Sequence, residues 1–287
     1  MKNTNKLKLG IIGHGFVGKA TDWGFDQNVK KFIVDPIYKT SIDQLSEFDP
    51  HLIFICVPTP MRDDGTQETD ILETVVKEAS RKCRTSLIVI KSTVLPSVLN
   101  KLESFNRKLI YNPEFLREKF ANEDFVDSKM IIFGGNREVA SIVSRYYLQH
   151  SRCKTKKHIF LDLSSASLIK YAINTFLATK VVFFNEIFDI FKENNSNDSW
   201  EDIISVISTD ERIGKSHMHV PGHDGKLGFG GACFPKDSSA FIRFSEQLNK
   251  ELSVLSAAVR KNNEIRRQYS KLDKREEEQN ISFDDKI

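Results

Sequence analysis

Between residues 7 and about 160 the chain alternates short apolar runs with longer amphipathic stretches. The runs fall at 7–12, 31–34, 52–57, 87–90, 109–111 and 130–133, with helix-length segments such as 69–81, 97–104 and 137–150 between them. Near-continuous apolar strands separated by helical stretches predict a doubly wound parallel sheet with helices covering both faces. The pattern changes near Asp162. Residues 164–192 keep helical spacing but are apolar on most sides, through Leu168, Ile169, Tyr171, Ile173, Phe176, Leu177, Val181, Phe184, Ile187 and Phe188. Such a helix must be buried on most faces, by its own domain or by a second subunit. Polar residues 194–199 break it, and a shorter helix runs to about Ser208. A loop rich in glycine and histidine covers 210–231, and two more helical patterns follow at 237–248 and 252–269. Beyond Tyr269, mixed charge with little apolar content predicts a frayed helix end and a disordered tail. The expected organisation is an α/β domain over 1–161, an all-helical domain over 162–270 and a charged tail over 271–287.

The 287 residues are enough for two ordinary domains with sizeable cores. Forty-two basic against thirty-nine acidic side chains leave a net charge of only +3. That balance argues against bulk nucleic-acid binding, which needs a clustered basic face. Cys56, Cys83, Cys153 and Cys233 show neither C-x-x-C spacing nor a disulfide-like framework, so a reducing, cytoplasmic setting is expected. The first eight residues are polar and basic, and the apolar run after them is too short for a signal peptide or a membrane span.

Gly13-His14-Gly15-Phe16-Val17-Gly18 follows the first apolar run and opens a helical stretch. G-x-G-x-x-G alone is weak, but strand before and helix after give it meaning. The first glycine makes a tight turn, the second admits a pyrophosphate against the backbone, and the third lets helix and strand pack closely. Asp35 ends the second run, about twenty residues on, where a carboxylate hydrogen-bonds a ribose 2′-hydroxyl and repels a 2′-phosphate. The sheet is therefore expected to be of the Rossmann type and its cofactor NAD. Val57-Pro58-Thr59-Pro60 and Lys91-Ser92-Thr93 close the third and fourth runs. Ligands bind at such carboxyl ends, so Thr59 and Thr93 either face the nicotinamide or serve as ordinary helix caps.

Gly228-Phe229-Gly230-Gly231-Ala232-Cys233-Phe234-Pro235-Lys236-Asp237 carries the most specific chemistry. A free cysteine is usually a small core hydrophobe. Here glycines let the backbone lie against a ligand and present the thiol, and a thiolate attacks carbonyl carbon well. Residues 111–118, with Glu114, Phe115, Leu116 and Glu118, follow the fifth run onto the same rim. Lys170 and Asn174 lie one turn apart on the long helix and share a face, which suits an oxygen that becomes negatively charged. His217, His219 and His223 have a spacing that metal ligands also use, but on spacing alone the case for a metal is weak.

These segments, with Arg212-Ile213-Gly214, occur in the order found in the UDP-glucose dehydrogenases and their relatives acting on GDP-mannose and UDP-N-acetylhexosamines, which the chain resembles. The resemblance implies oxidation of a sugar C6 hydroxyl to a carboxylate with two NAD, UDP-glucose being the best guess for the substrate. By similarity Cys233 forms a thiohemiacetal and then a thioester. Lys170 and Asn174 hold the reacting oxygens, Asp237 moves a proton or organises water, and Glu118 and Thr93 position the hydrolytic water. Contacts to the cofactor fall to Gly13, Gly15, Phe16, Val17, Gly18, Asp35, Val57, Pro58, Thr59, Thr93, Glu118 and Lys236. Contacts to the substrate fall to Glu114, Phe115, Leu116, Lys170, Asn174, Arg212, Phe229 and Gly230. No metal is needed. Arg212 reaches the diphosphate from a neighbouring subunit, which implies a homodimer built on the long helix. Family members continue into another α/β domain that grips the nucleotide, so a separate chain supplying that domain is a further expected partner. Two alternatives remain: a single-step β-hydroxyacid-type dehydrogenase, and a non-catalytic NAD-binding or dimerising remnant.

Overall fold

In a computed structural model, residues 6–26 and 28–284 are described. They divide into two compact units, one of residues up to Thr59 with Glu68–Lys170, the other of Pro60–Gln67 with Tyr171 onward. The division falls within one helix, a little later than the sequence places its domain boundary at 161/162.

The first unit is built on a seven-stranded sheet: β1 (Leu7–Ile12), β2 (Val29–Val34), β3 (Leu52–Ile55), β4 (Leu87–Ile90), β5 (Ile110–Tyr111), β6 (Ile131–Gly135) and β7 (His158–Leu161). Its order is β2-β1-β3-β4-β5-β6-β7. The chain steps to one side of β1 and then to the other, so the topology reverses between β1 and β3, the position at which such sheets bind ligands. Its helices are α1 (Phe16–Gly24), α2 (Ile42–Phe48), α3 (Asp70–Lys82), α4 (Pro96–Glu103), α5 (Ala121–Val126) and α6 (Arg137–His150). The strands between the two edge strands, β2 and β7, are buried on both faces. One face packs Ile53, Ile55, Ile88 and Ile90 with Leu45, Leu72, Val76 and Leu99 of α2, α3 and α4. The other packs Leu9, Ile11, Phe54 and Phe133 with Phe125 and Tyr147 of α5 and α6.

Two features differ from the pattern expected. β6 runs antiparallel to β5, because the only α-helix between them, α5, has six residues. It rises about 9 Å, too little to carry the chain back along a strand. β7 pairs parallel to β6, and its four half-buried residues lack the continuous burial of a central strand such as β3.

The second unit is helical: the greater part of α7 (Leu163–Glu193), α8 (Trp200–Ile207), α9 (Phe234–Gln247), α10 (Ser253–Arg266) and α11 (Lys274–Glu278). Ala178 and Val182 of α7 pack with Ile242 of α9 and with Leu255 and Val259 of α10. Phe184 packs with Trp200, Ile204, Met218 and Val220. By length and composition α7 could cross a membrane, yet half of its most apolar window is buried inside the protein, the packing of a core helix. The loop 60–67 joins this unit through Ser239 Oγ, which donates to the Gly65 carbonyl at 2.8 Å. Arg243 Nε likewise donates to the Asp64 carbonyl at 2.9 Å.

The stretch after Tyr269 is not a disordered tail over its described length. α11 starts with a capping box on Asp273, and Glu276, Ile281 and Phe283 are buried. Burial of two apolar groups and one paired acid supplies the order that composition alone did not promise.

Candidate functional site

In the first unit the loop after β1 has the geometry a dinucleotide needs. Gly13 has φ +87°, and a side chain there would sit 2.8 Å from the Cys56 carbonyl at the end of β3. At Gly18 a side chain would collide with the Gly13 carbonyl, while at Gly15 it would meet nothing. The backbone is thus bare at the N-cap of α1, where helix N–H groups point outward and no acidic side chain occupies the first turn. Asp35 is buried. Its Oδ2 accepts the His14 N–H at 2.7 Å, and its Oδ1 accepts the Ile37 N–H at 3.0 Å. That fixed carboxylate beside the glycine turn fits an adenosine ribose, and the bare helix end fits its pyrophosphate. Phe16 and Val17 are half-buried on α1.

The strand ends place other expected residues differently. Thr59 and Thr93 cap neither α3 nor α4, whose N-caps are Thr69 and Leu95. Instead Thr59 Oγ1 donates to the Thr93 carbonyl at 3.0 Å, and Ser92 Oγ donates to the Val57 carbonyl at 2.7 Å. These bonds tie the ends of β3 and β4 together. Val57 points into the core, so only its backbone is available to a ligand, and Pro58 is exposed. Lys170 is buried, with Nζ 2.6 Å from the Glu114 carbonyl and 3.4 Å from Glu114 Oε1. Glu114 Oε2 accepts the Leu116 N–H at 2.6 Å, and Lys170 Nζ lies 5.2 Å from the centre of the Phe115 ring. Charge-assisted bonds hold this lysine against the turn after β5. The side chain of Glu118 lies outside the described residues. Close by, Lys91 Nζ donates to Asn112 Oδ1 at 2.9 Å. Burial pushes the Lys91 ammonium below its ordinary value. The buried Cys56 thiol is pushed up to about 12 by the same cause, against the nearby Lys91 charge.

In the second unit Cys233 occupies the N-cap position of α9 and is half-buried. Negative charge developing at a helix N-terminus is stabilised by the helix dipole and the free N–H groups. One turn into α9, Asp237 is almost wholly buried, and both its oxygens are engaged. Asn174 Nδ2 donates to Oδ2 at 2.6 Å, and Lys236 Nζ donates to Oδ1 at 2.6 Å. Lys236, expected at the cofactor, is thus committed to its neighbouring aspartate.

The glycine-rich loop before Cys233 is held by groups the sequence reading missed. Gly228 N–H donates to Asn185 Oδ1 at 2.9 Å. Asn262 accepts the Phe229 N–H at 2.6 Å and donates to its carbonyl at 3.0 Å. Gly231 N–H donates to Glu276 Oε1 at 2.9 Å. Buried backbone N–H groups outside helices require acceptors, which is the one signal that could have pointed to these residues. Phe229, expected beside the sugar, buries its ring with Ala178, Ile242 and Val259, so only its backbone can face a ligand. Arg212 is exposed and pairs with Asp210 in its own loop, Nη2 to Oδ2 at 2.6 Å. Its guanidinium holds the Asp210 carboxyl below the usual carboxylate range. Among the described residues no group of three or more His, Cys, Asp or Glu could hold a metal; His219 and His223 lie with ring centres 6.1 Å apart.

A Rossmann-type unit with a bare phosphate loop, followed by a helical unit with a half-buried cysteine at a helix start, has the architecture of a nicotinamide-dependent dehydrogenase. Residues 38–150 match the NAD binding domain, and residues 164–264 the central domain, of the UDP-glucose/GDP-mannose dehydrogenase family. The chain belongs to that family, and its cofactor is NAD. It is 34% identical over 283 residues to a UDP-glucose 6-dehydrogenase of Rickettsia felis, an alignment covering 88% of this chain and 60% of that protein. A UDP-glucose 6-dehydrogenase of Haloferax volcanii is 28% identical over 302 residues, covering 88% of this chain and 69% of its own. A UDP-glucose dehydrogenase structure from Pyrobaculum islandicum superposes with TM-score 0.78 at 27% identity, covering 93% of this chain and 70% of that one. The fold is shared further with a 3-hydroxyisobutyrate dehydrogenase of Mycobacterium tuberculosis. That structure has TM-score 0.67 at 15% identity, covering 94% of this chain and 97% of that one.

Proposed function

We propose that the protein oxidises the C6 hydroxyl of a nucleotide sugar to a carboxylate, with UDP-glucose as the first candidate. The observation that carries this reading is Cys233, half-buried at the start of α9, one turn from the Asn174–Asp237–Lys236 chain. A single alcohol-to-aldehyde step has no use for a thiol there. NAD, when bound, supplies the hydride acceptor for each of two successive oxidations. Between them the Cys233 sulfur bonds to C6 of the aldehyde, and the carbonyl oxygen takes up a proton as the thiohemiacetal forms. Loss of that proton and a hydride leaves a thioester. Water then breaks the C–S bond, giving the carboxylate and returning the thiol. Asn174 and Lys170, neighbours on one face of α7, are assigned to the developing oxyanion. Asp237, oriented through both oxygens, is assigned to proton transfer or to organising water, and Thr93 and Glu118 to the hydrolytic water. Asp35 and the 13–18 turn are assigned to the adenosine diphosphate half of NAD, and Arg212 to a substrate diphosphate in a neighbouring subunit.

Free cysteines suit a reducing compartment, so a cytoplasmic setting is proposed. Homodimerisation is proposed through α7. Phe176, Phe183 and Ile190 recur every seven residues and are 65%, 54% and 65% exposed, an exposed apolar stripe. Light scattering should give twice the chain mass, and a monomer at micromolar concentration would remove this proposal.

The chain spans about 60% of the length of its Rickettsia relative, so activity is tested directly. With NAD and UDP-glucose, GDP-mannose or UDP-N-acetylmannosamine, two NADH should appear per acid formed. One NADH per product would favour the single-step β-hydroxyacid type. No turnover with any of the three would leave an NAD-binding remnant.

A further inference from the structure

The segment 271–284 does more than follow α10. Glu276, on α11, is completely buried, and its Oε1 accepts two bonds. One comes from the Gly231 N–H at 2.9 Å, two residues before Cys233. The other comes from Arg266 Nη2 at 2.8 Å. Arg266 Nη1 bonds Asp224 Oδ2 at 2.6 Å, at the near end of the same loop. The guanidinium also lies over the Phe283 ring, 5.3 Å from its centre. At Gly230 any side chain would collide with Arg266 Nη2 and Glu276 Oε1. The glycine of the cysteine motif therefore packs against this ion pair.

Other bonds fasten the segment independently. Met61 N–H donates to the Gln279 carbonyl at 3.0 Å, and Lys226 Nζ donates to the Lys271 carbonyl at 2.8 Å. Ile281 and Phe283 are buried. A buried carboxylate is costly unless paired and hydrogen-bonded. Glu276 meets both conditions through Arg266 and through the Asp273 N–H, which Oε2 accepts at 2.8 Å, and its remaining bond, from the Gly231 N–H, ties this paired carboxylate to the cysteine loop.

We propose that residues 271–284 form a strap that fixes the Cys233 loop, with Glu276 as the positioning residue that clamps Gly231 and Arg266 together. The turnover consequence rests on the function proposed above; the loop-fixing claim does not. Small displacements of a nucleophile cost large factors in rate, up to roughly a hundredfold for about 1 Å. Glu276→Ala should lower kcat at least roughly tenfold while the KM for NAD stays within about twofold. Glu276→Gln keeps an acceptor for Gly231 and should recover part of that loss.

A second readout needs no turnover. Alkylation by iodoacetamide, followed at each cysteine by mass spectrometry, should be about tenfold faster at Cys233 in Glu276→Ala, through local opening of the loop. Cys153, half-buried in the first unit, should label at its wild-type rate. A chain ending at residue 270 and the variant Gly230→Ala provide the same test if Glu276→Ala folds poorly. Unchanged Cys233 labelling with an intact fold would overturn the strap, and so would faster turnover on truncation, which would mark the segment as inhibitory. Slower turnover with faster Cys233 labelling supports it. If wild type oxidises none of the three sugars, the labelling arm alone decides.

Discussion

Cys233→Ser should stop uronate formation, lowering its rate by roughly a thousandfold or more, a loss of about 4 kcal/mol in transition-state stabilisation. A serine hydroxyl is similar in size, so packing around α9 should be preserved, but it is a far weaker nucleophile than a thiolate. Any ester it formed would also hydrolyse more slowly than a thioester. NAD affinity should be unchanged, because the residues fitted to the cofactor lie in the first unit. The measurement is acid product per enzyme over time, alongside NADH release. A serine variant making acid at the wild-type rate would dispose of the covalent route. One that releases a single NADH and stalls is the expected signature.

Arg266→Met should cause a large loss of stability in the second unit. Its side chain is 1% exposed, and it pairs with Glu276, whose side chain is fully buried, and with Asp224, whose side chain is 34% exposed. Removing one partner of a buried pair costs about 3–5 kcal/mol, because the carboxylate left behind is uncompensated. The melting transition should fall by about 10 °C. Adding Glu276→Leu to Arg266→Met should recover much of the loss, since two apolar groups can replace a buried pair. Arg266→Lys should recover less, because one ammonium cannot reproduce two separate guanidinium nitrogens, one for each carboxylate. Calorimetry of the cycle decides the matter; additive losses would show that Arg266 and Glu276 do not act together.

The resemblance among motifs extended through most of the chain because each motif encodes a local requirement. Gly13 needs a positive φ, Gly18 must let a helix lie on a carbonyl, and Asp35 terminates its strand. Periodicity alone gave β1, β4, α6 and the long α7 nearly to their ends, since apolar spacing reports which face is buried. For Val57 and Phe229 the sequence leaves open whether side chain or backbone faces a ligand, because a motif position does not say which way the side chain turns. In both cases the ring or branched chain completes a core.

The amino-acid order by itself determined the class of fold, the dinucleotide turn and the family, all of which rest on contacts within a few residues or on simple periodicity. Tertiary structure alone decided the reversed β6, the commitment of Lys236 to Asp237, the burial of Lys170 against Glu114, and the strap. Glu276 stands in a run of charged residues indistinguishable from a solvated tail. It becomes a buried partner only because Arg266 and the Gly231 N–H, ten and forty-five positions earlier, converge on one carboxylate oxygen. Long-range pairing of that kind leaves no trace in local composition, because its energy depends on where the chain returns.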